Sequence, residues 1–308
     1  MKKWLVAGLE RVTARTVEQQ LRDSSQLASI AAGIGRVNAI ANNQRLNSAS
    51  PLSDAEFKVY SQFGDDGIIQ HLITVIGLRK GEDVFVEFGV ENYMESNTRF
   101  LLVNNNWRGL VIDGSERNID FVRRHEVHWK YDLTAVHAFI DAENINALIR
   151  DAGVTGGIGL LSVDIDGNDY WVWKAIECID PVIVISEFNS LMGAERPITI
   201  PYDPKFVRSQ AHWSRMYYGA SVAALCHLAN AKGYAFIGCN SAGNNAYFIK
   251  RERMRDLREI KPEAGYVESK FREREKVDSL DRIRGGDRNR AIAGLPVVNV
   301  VTGQAETL

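Results

Sequence analysis

The hydrophobic positions of this chain change their period along its length. Between residues 4 and 41 they recur every three or four residues, the period of one helix face. Leu5, Leu9 and Val12 make a first stripe, and Leu27, Ile30, Ile34, Val37 and Ala41 a second. The register slips near Val17 and Leu21, and Gly33 and Gly35 lower the helix propensity of the second piece. One or two amphipathic helices are expected, packed on the body or on a second subunit. The alternative lays Met1 to Arg15 on a membrane surface, with Lys2, Lys3, Arg11 and Arg15 toward lipid phosphates and Trp4 at the interface; Glu10 and Glu18 count against it.

Residues 41 to 54 are polar and turn-rich, which marks a boundary. Ile68, Ile69, Leu72, Ile73 and Ile76 then predict a helix, capped by Asp65 or Asp66. From Asp83 onward short apolar runs alternate with helical patterns. Asp83 to Val90 reads as a buried strand closed by an acid and a glycine, and Thr98 to Val103 as the helix after it. Gly109 to Asp113 is the second strand and Val127 to Tyr131 a weaker third, ahead of Asp132. Gly159 to Asp164 is the fourth and Pro181 to Glu187 the fifth, with helices over Asn144 to Ile149 and Tyr170 to Ile179. A loop region from Asn189 to Gly219 follows, then a helix capped by Ser221 and closed by Gly233. Tyr234 to Cys239 and Ala246 to Lys250 are joined by a loop too short for a helical crossover, so they pair antiparallel. The fold class is therefore α/β: a parallel sheet with crossover helices, a C-terminal antiparallel hairpin and an N-terminal helical extension. Beyond Arg251 the chain is highly charged; Phe271 to Arg288 suggests a solvated helix plus loop, and Leu295 to Val301 a short edge strand. The expected division is 1–50 for oligomerisation or docking, 51–262 for the α/β domain and 263–308 for a charged extension.

Composition narrows the class. The chain has 308 residues, 45% apolar and 25% charged, as in soluble globular proteins. A net charge of −2 gives no electrostatic case for nucleic acid. Cys178, Cys226 and Cys239 are far apart and fit core thiols of a reducing compartment. No apolar run approaches the ~20 residues of a membrane span, and the run behind Lys2 and Lys3 is too short for a signal segment. A cytoplasmic protein is expected, with membrane contact at most peripheral, at the inner face, through residues 1–15.

The candidate chemistry lies at the strand ends. Gly89 lets the backbone bend and a ligand approach. There is no G-x-G-x-x-G and no phosphate loop, which disfavours a dinucleotide or triphosphate. A nucleoside with a positive centre, such as S-adenosylmethionine (SAM), fits better. Asp113, ending the second strand, suits the ribose hydroxyls or forms a turn before Gly114. Glu87 pairs with the ammonium of SAM or orders the following loop. Asp164 to Tyr170 is the densest acidic stretch. It lacks the twelfth-position Glu of an EF-hand. Glu187 and Asn189 stand at i, i+2 and point the same way. With Asp164 they offer hard-oxygen ligands for Mg²⁺ or Mn²⁺, or else cap a helix and bond to loop amides. His212 and Asp166 are the candidate bases and Asp164 the group that orients the acceptor.

These residues resemble a known group. The chain is similar to the FkbM-like branch of class I SAM-dependent methyltransferases from Ser61 to the C-terminus. Ser61-Gln62-Phe63-Gly64-Asp65-Asp66-Gly67 resembles its S-Q-F-G-E-D-G entry motif, and Phe85 to Gly89 with Ser96-Asn97-Thr98 its cofactor motif. Ser162 to Tyr170, Pro201 to Pro204, Tyr218 to Ser221, Gly238 to Ser241 and Asn245 to Phe248 complete the set. The resemblance implies the class I methyltransferase fold, with Gln62, Glu87, Gly89, Asn97 and Asp113 around SAM; Asp132, after the third expected strand, joins that set. Val163 to Tyr170 also looks like the V-D-A-D-K-D-N-Y of metal-dependent catechol and caffeoyl-CoA O-methyltransferases, although Glu187-Phe188-Asn189 departs from their Asp-Asn pair by one residue of spacing and a Glu for an Asp. The expected function is O-methyl transfer to a sugar hydroxyl of a cell-surface polysaccharide or of its nucleotide- or lipid-linked precursor, by a homo-oligomer. The alternative is a catalytically silent methyltransferase-like scaffold in a glycan-assembly complex. A nicotinamide oxidoreductase is disfavoured by the missing glycine fingerprint.

Overall fold

The computed structural model describes residue 27 and residues 30–47, 50–270, 273–274, 282–283 and 286–308. The stripe Leu5 to Val12 and the segment Met1 to Arg15 lie outside the described residues. The helices that matter for the site are α1 (30–45), α2 (Asp65–Ile76), α3 (Arg99–Asn105), α4 (Glu116–Arg124), α5 (Glu126–Lys130), α6 (Ile145–Asp151), α7 (Asp169–Ala175), α8 (Arg208–Ala211) and α9 (Val222–Ala231). The strands are β1 (Val84–Phe88), β2 (Arg108–Asp113), β3 (Leu133–His137), β4 (Gly156–Val163), β5 (Ile179–Glu187), β6 (Ile198–Thr199), β7 (Tyr234–Cys239) and β8 (Asn245–Lys250). Seven of them form one sheet in the order β3-β2-β1-β4-β5-β8-β7. β8 runs antiparallel to both of its neighbours, and the other pairs are parallel. This is the expected methyltransferase-type, Rossmann-like α/β fold.

The strands read as unbroken apolar runs because both faces of the sheet are covered. Val84, Val86 and Phe88 enter one core with Ile112, Leu161 and Trp173, while Phe85 enters the other with Val111, Leu160 and Ile183. The order reverses between β1 and β4, so a crevice opens at the carboxyl ends of those two strands. Gly89 follows β1 there with φ 69°, and its N–H donates to the Ile112 carbonyl at 3.0 Å. A Cβ at Gly89 would overlap the backbone carbonyl of Asp164, the residue after β4.

Three expectations change. The third strand is β3, and the stretch before it is α5, whose first turn is closed by the Val127 N–H donating to His125 Nδ1 at 3.2 Å. Asp132 consequently enters β3 at the amino end of the sheet, opposite the crevice, and is exposed. Neither Asp65 nor Asp66 caps α2. Asp66 Oδ2 instead accepts from the N–H groups of Val59, Tyr60 and Ser61, and Asp65 Oδ1 from Asn240, Asn245 and Tyr247. Finally, Pro296–Asn299 pairs with β6 and with Ala305–Thr307 in a separate three-stranded sheet. Glu273–Arg274 pairs antiparallel with Arg282–Ile283 where a helix was expected.

α1 docks through its smallest residues. Ala32, Gly35 and Ala39 are buried, whereas Leu27, Ile30, Ile34 and Val37 are exposed. Among the described residues no helix is long and apolar enough to cross a membrane.

Gly89→Ala should destabilise the protein by more than about 2 kcal/mol, because it adds both a left-handed backbone penalty and a backbone clash. Denaturant unfolding checks this, and wild-type stability would place the strand ends further apart than described.

Candidate functional site

A cavity of about 680 Å³ occupies the crevice. It gathers most of the expected residues: Gln62, Glu87, Gly89, Asn97 and Asp113 toward β1 and β2, and Asp164, Asp166 and Glu187 toward β4 and β5.

On the β1 side Glu87 orders the loop, one of its two expected roles. Its Oε2 accepts from Ser96 Oγ, Thr98 Oγ1 and the Thr98 N–H, and its Oε1 from the Asn97 N–H at 2.9 Å. Burial pushes the carboxyl above its ordinary range, and these donors oppose that shift. With its bonds already made, Glu87 fixes Ser96 to Thr98 at the mouth of α3. Asn97 Nδ2 then reaches Ser162 Oγ on β4 at 3.1 Å, tying the loop to the neighbouring strand. Asp113 is likewise partly engaged. Oδ2 accepts from the Glu91 N–H at 2.8 Å, and Oδ1 from the Ser115 N–H at 2.8 Å and Asn118 Nδ2 at 3.3 Å. A carboxylate has about four acceptor sites, so Oδ2 retains one for a ligand hydroxyl.

On the β4 side the acidic stretch divides by role. Asp169 is the brace: its Oδ1 accepts from the Ile165 N–H at 2.8 Å and its Oδ2 from the Gly167 N–H at 2.9 Å. The braced loop holds Asp166 in a left-handed conformation, φ 57°. Arg208, from α8, pairs with Asp166 through Nη1, bonds to the Arg215 carbonyl through Nε, and stacks 3.7 Å from the centre of the Tyr218 ring. Arg215 lines the cavity nearby. Carboxylate oxygens of Asp164 and Glu187 lie within 4.8 Å of each other. Burial first, then the neighbouring carboxylates, push both well above the usual range.

Two more of the expected residues leave the site. Asn189 is spent on backbone: Nδ2 donates to the carbonyls of Met216 at 2.8 Å and Tyr218 at 3.0 Å, and Oδ1 accepts from the Leu191 N–H at 3.1 Å. His212 does not line the cavity; its Nδ1 lies 2.8 Å from Ser214 Oγ, beside Trp213. Asp132 does not line it either, for the topological reason above. The expected metal set loses Asn189, and Asp166 replaces it. Ligand oxygens of Asp164, Asp166 and Glu187 lie within 4.8 Å of one another. The donor set suits a hard divalent ion, and Glu187 Oε2 is buried without a partner. Arg208 competes for Asp166.

The cavity is also lined by residues that the sequence reading missed: Asn168, Phe206, Arg208, Asn244 and Asn245. Asn168 and Asn245 lay inside quoted motifs, and their β4–α7 and β7–β8 junctions were the available signal. Asn245 stands opposite Glu187 in the β5–β8 register. Asn168 Oδ1 and Asn245 Oδ1, like Glu187 Oε2, are buried without a hydrogen-bond partner.

Neither a family model nor a curated protein matches this sequence. Solved structures match at low identity. An O-methyltransferase from Bacillus cereus in complex with SAH is 15% identical over 71% of this chain and 89% of that one, with TM-score 0.39. The N-terminal domain of EvdMO1 with SAH bound is 12% identical over 62% and 80%, TM-score 0.38. An O-methyltransferase family protein from Burkholderia thailandensis is 13% identical over 60% and 57%, TM-score 0.36. Each of these likenesses is distant and concerns the fold alone.

Glu87→Gln should cost about 1.5–3 kcal/mol of stability, since an amide presents N–H groups to donors that need an acceptor. Denaturant titration measures this. An unchanged midpoint would show that the loop is ordered by other bonds.

Proposed function

We propose that this chain is a SAM-dependent O-methyltransferase of the FkbM-like branch, acting on a sugar hydroxyl in a cell-surface glycan or its nucleotide- or lipid-linked precursor. The reading rests on the three buried oxygens without partners on the acceptor side, Asn168 Oδ1, Glu187 Oε2 and Asn245 Oδ1. Each of them accepts hydrogen bonds, and leaving them dry and unpaired is costly. A sugar presents several O–H donors on a small frame, which is the chemistry such a wall lacks. The strand order, the bare Gly89 and the spare acceptor site of Asp113 support a nucleoside cofactor in the other half of the cavity.

SAM, when bound, supplies a methyl group activated on a sulfonium. Gly89, Asn97, Asp113 and Gln62 would hold it. Asn168 and Asn245 orient the acceptor by taking hydrogen bonds from hydroxyls that do not react. Glu187 Oε2 takes the proton of the reacting hydroxyl, and Asp164 shares it. The acceptor oxygen gains the methyl as it loses that proton. Phe206 covers the cavity from the loop after β6 and limits the entry of water. His212, outside the cavity, has no part in this scheme.

Isothermal titration of the folded protein with SAM and SAH tests the first step, and absence of binding would reject the reading. Methyl transfer, assayed in EDTA with labelled SAM and a surface-glycan precursor fraction, should rise with pH as the Asp164–Glu187 pair loses its proton. Burial, and then the Asp164 carboxylate, raises the pKa of Glu187. Asp164→Asn should therefore move the acid limb of the residual activity to lower pH while lowering the rate by about tenfold or more. An unmoved limb would exclude the pair as the titrating base.

A second reading of the same acids is favoured by their ligand spacing. Asp164, Asp166 and Glu187 would hold Mg²⁺ or Mn²⁺, which would supply Lewis-acid polarisation of the acceptor oxygen. Titration of the protein with Mn²⁺, followed by electron paramagnetic resonance, should show one site that Glu187→Gln removes. Free Mn²⁺ signal undiminished by protein would reject it.

A further inference from the structure

The aliphatic face of α1 has no cover among the described residues. Ile30, Ile34 and Val37 on α1 are 59, 57 and 65% exposed, and Leu27, ahead of it in sequence, is 66% exposed. Isolated exposed aliphatics need no explanation. These four, however, follow one another at intervals of three, four and three residues, and Ala41 continues the series after four more. That is a repeat of 3.5, the seam of a helix pair, and it is narrower than the face a surface helix turns toward its own core.

The other side of α1 is already committed. A Cβ added at Gly35 would lie 2.9 Å from Phe57 and Val59 and 3.0 Å from Phe100. Asn42 Nδ2 donates to the Ala55 carbonyl at 3.1 Å, and Asn43 Oδ1 lies 3.3 Å from His71 Nδ1. α1 therefore has no freedom to roll its aliphatic side inward.

We propose that this stripe is the contact between two copies of the chain, α1 against α1 across a two-fold axis. An isologous contact needs a surface complementary to itself. A seam of Leu, Ile, Val and Ala satisfies that, and the only charged residues on α1 are Arg36 and Arg45. Five aliphatic side chains, counting Ile40 at 54% exposure on the flank, bring two copies to the threshold of a specific interface: on the order of 100 Å² each, or about 1,000 Å² in total. Other occupants fit less well. A membrane-surface helix carries several basic residues and interfacial aromatics, and α1 has two arginines and no aromatic. Residues 1–26 carry Leu5, Leu9, Val12, Val17 and Leu21, whose register slips near Val17 and departs from the unbroken 3.5 repeat of this seam.

Sedimentation equilibrium of the full chain tests the proposal. The expected mass is twice 34.5 kDa. The double variant Ile34→Glu, Val37→Glu should weaken association by at least roughly a hundredfold, because it places carboxylates in a dry seam. The circular dichroism spectrum of that variant should match that of the parent, since both side chains are exposed on α1. Arg36→Glu, off the seam, should stay dimeric. A chain that remains at 34.5 kDa at every concentration, as it would if residues 1–26 covered the stripe within one molecule, would overturn the proposal. A dimer that survives the double variant would overturn it as well.

Discussion

The close approach of two strand ends governs this molecule. β1 and β4 are neighbours whose chains turn away in opposite directions, and they finish so near each other that the residue after β1 has no room for a side chain. Gly89 meets the carbonyl of Asp164 directly. The residues on either side of that contact are thereby brought to one place. Glu87 and the loop it organises stand on one flank, and Asp164 with the braced acidic loop on the other. The crevice is a consequence of topology, and the glycine keeps it narrow.

Charge in the crevice is arranged so that little of it is free. Glu87 is quenched by four donors, Asp169 by two loop amides and Asp166 by Arg208. Beside them stand the half-buried Asp164, the buried Glu187 and two amide oxygens without donors, Asn168 Oδ1 and Asn245 Oδ1. A wall of this kind discriminates by hydrogen-bond polarity. Ligands that donate gain from it, and ligands that only accept meet bare lone pairs. Arg208 is the counterweight, held flat against Tyr218 so that its charge stays beside the acids.

Much of this was legible in the sequence, for identifiable reasons. Strands covered on both faces leave continuous apolar runs, so β1, β2, β4, β5, β7 and β8 could be read from composition alone. β3 is an outer strand with a mixed pattern and was displaced onto α5, whose Val127 and Trp129 imitate a strand. That displacement carried Asp132 to the wrong end of the sheet. Residues at strand ends were placed well because topology fixes them; Gly89, Asp113, Asp164 and Glu187 all reach the cavity. The 189–219 region has no period from which to read direction. His212 and Asn189 were misplaced there and Arg208 was missed. Glu87 was found, but whether it faced a ligand or its own loop depended on Ser96 and Thr98, which sequence distance does not resolve.

The position of β8 bears on how the chain acquires its site. β8 is the last strand of the main sheet in sequence, yet it lies between β5 and β7. The half of the crevice beside Gly89 and Asp113 is built on β1, β2 and β4, all complete by Val163, whereas the half beside Glu187 needs Asn245 laid next to it. A chain that extends only as far as Cys239 therefore has those three strands next to a β5 edge with no partner. An unpaired central edge is prone to capture by another chain. Synthesis of the few residues from Asn245 to Lys250 both closes that edge and lays Asn245 beside Glu187, so completion of the sheet and of that wall of the crevice arrive in one step.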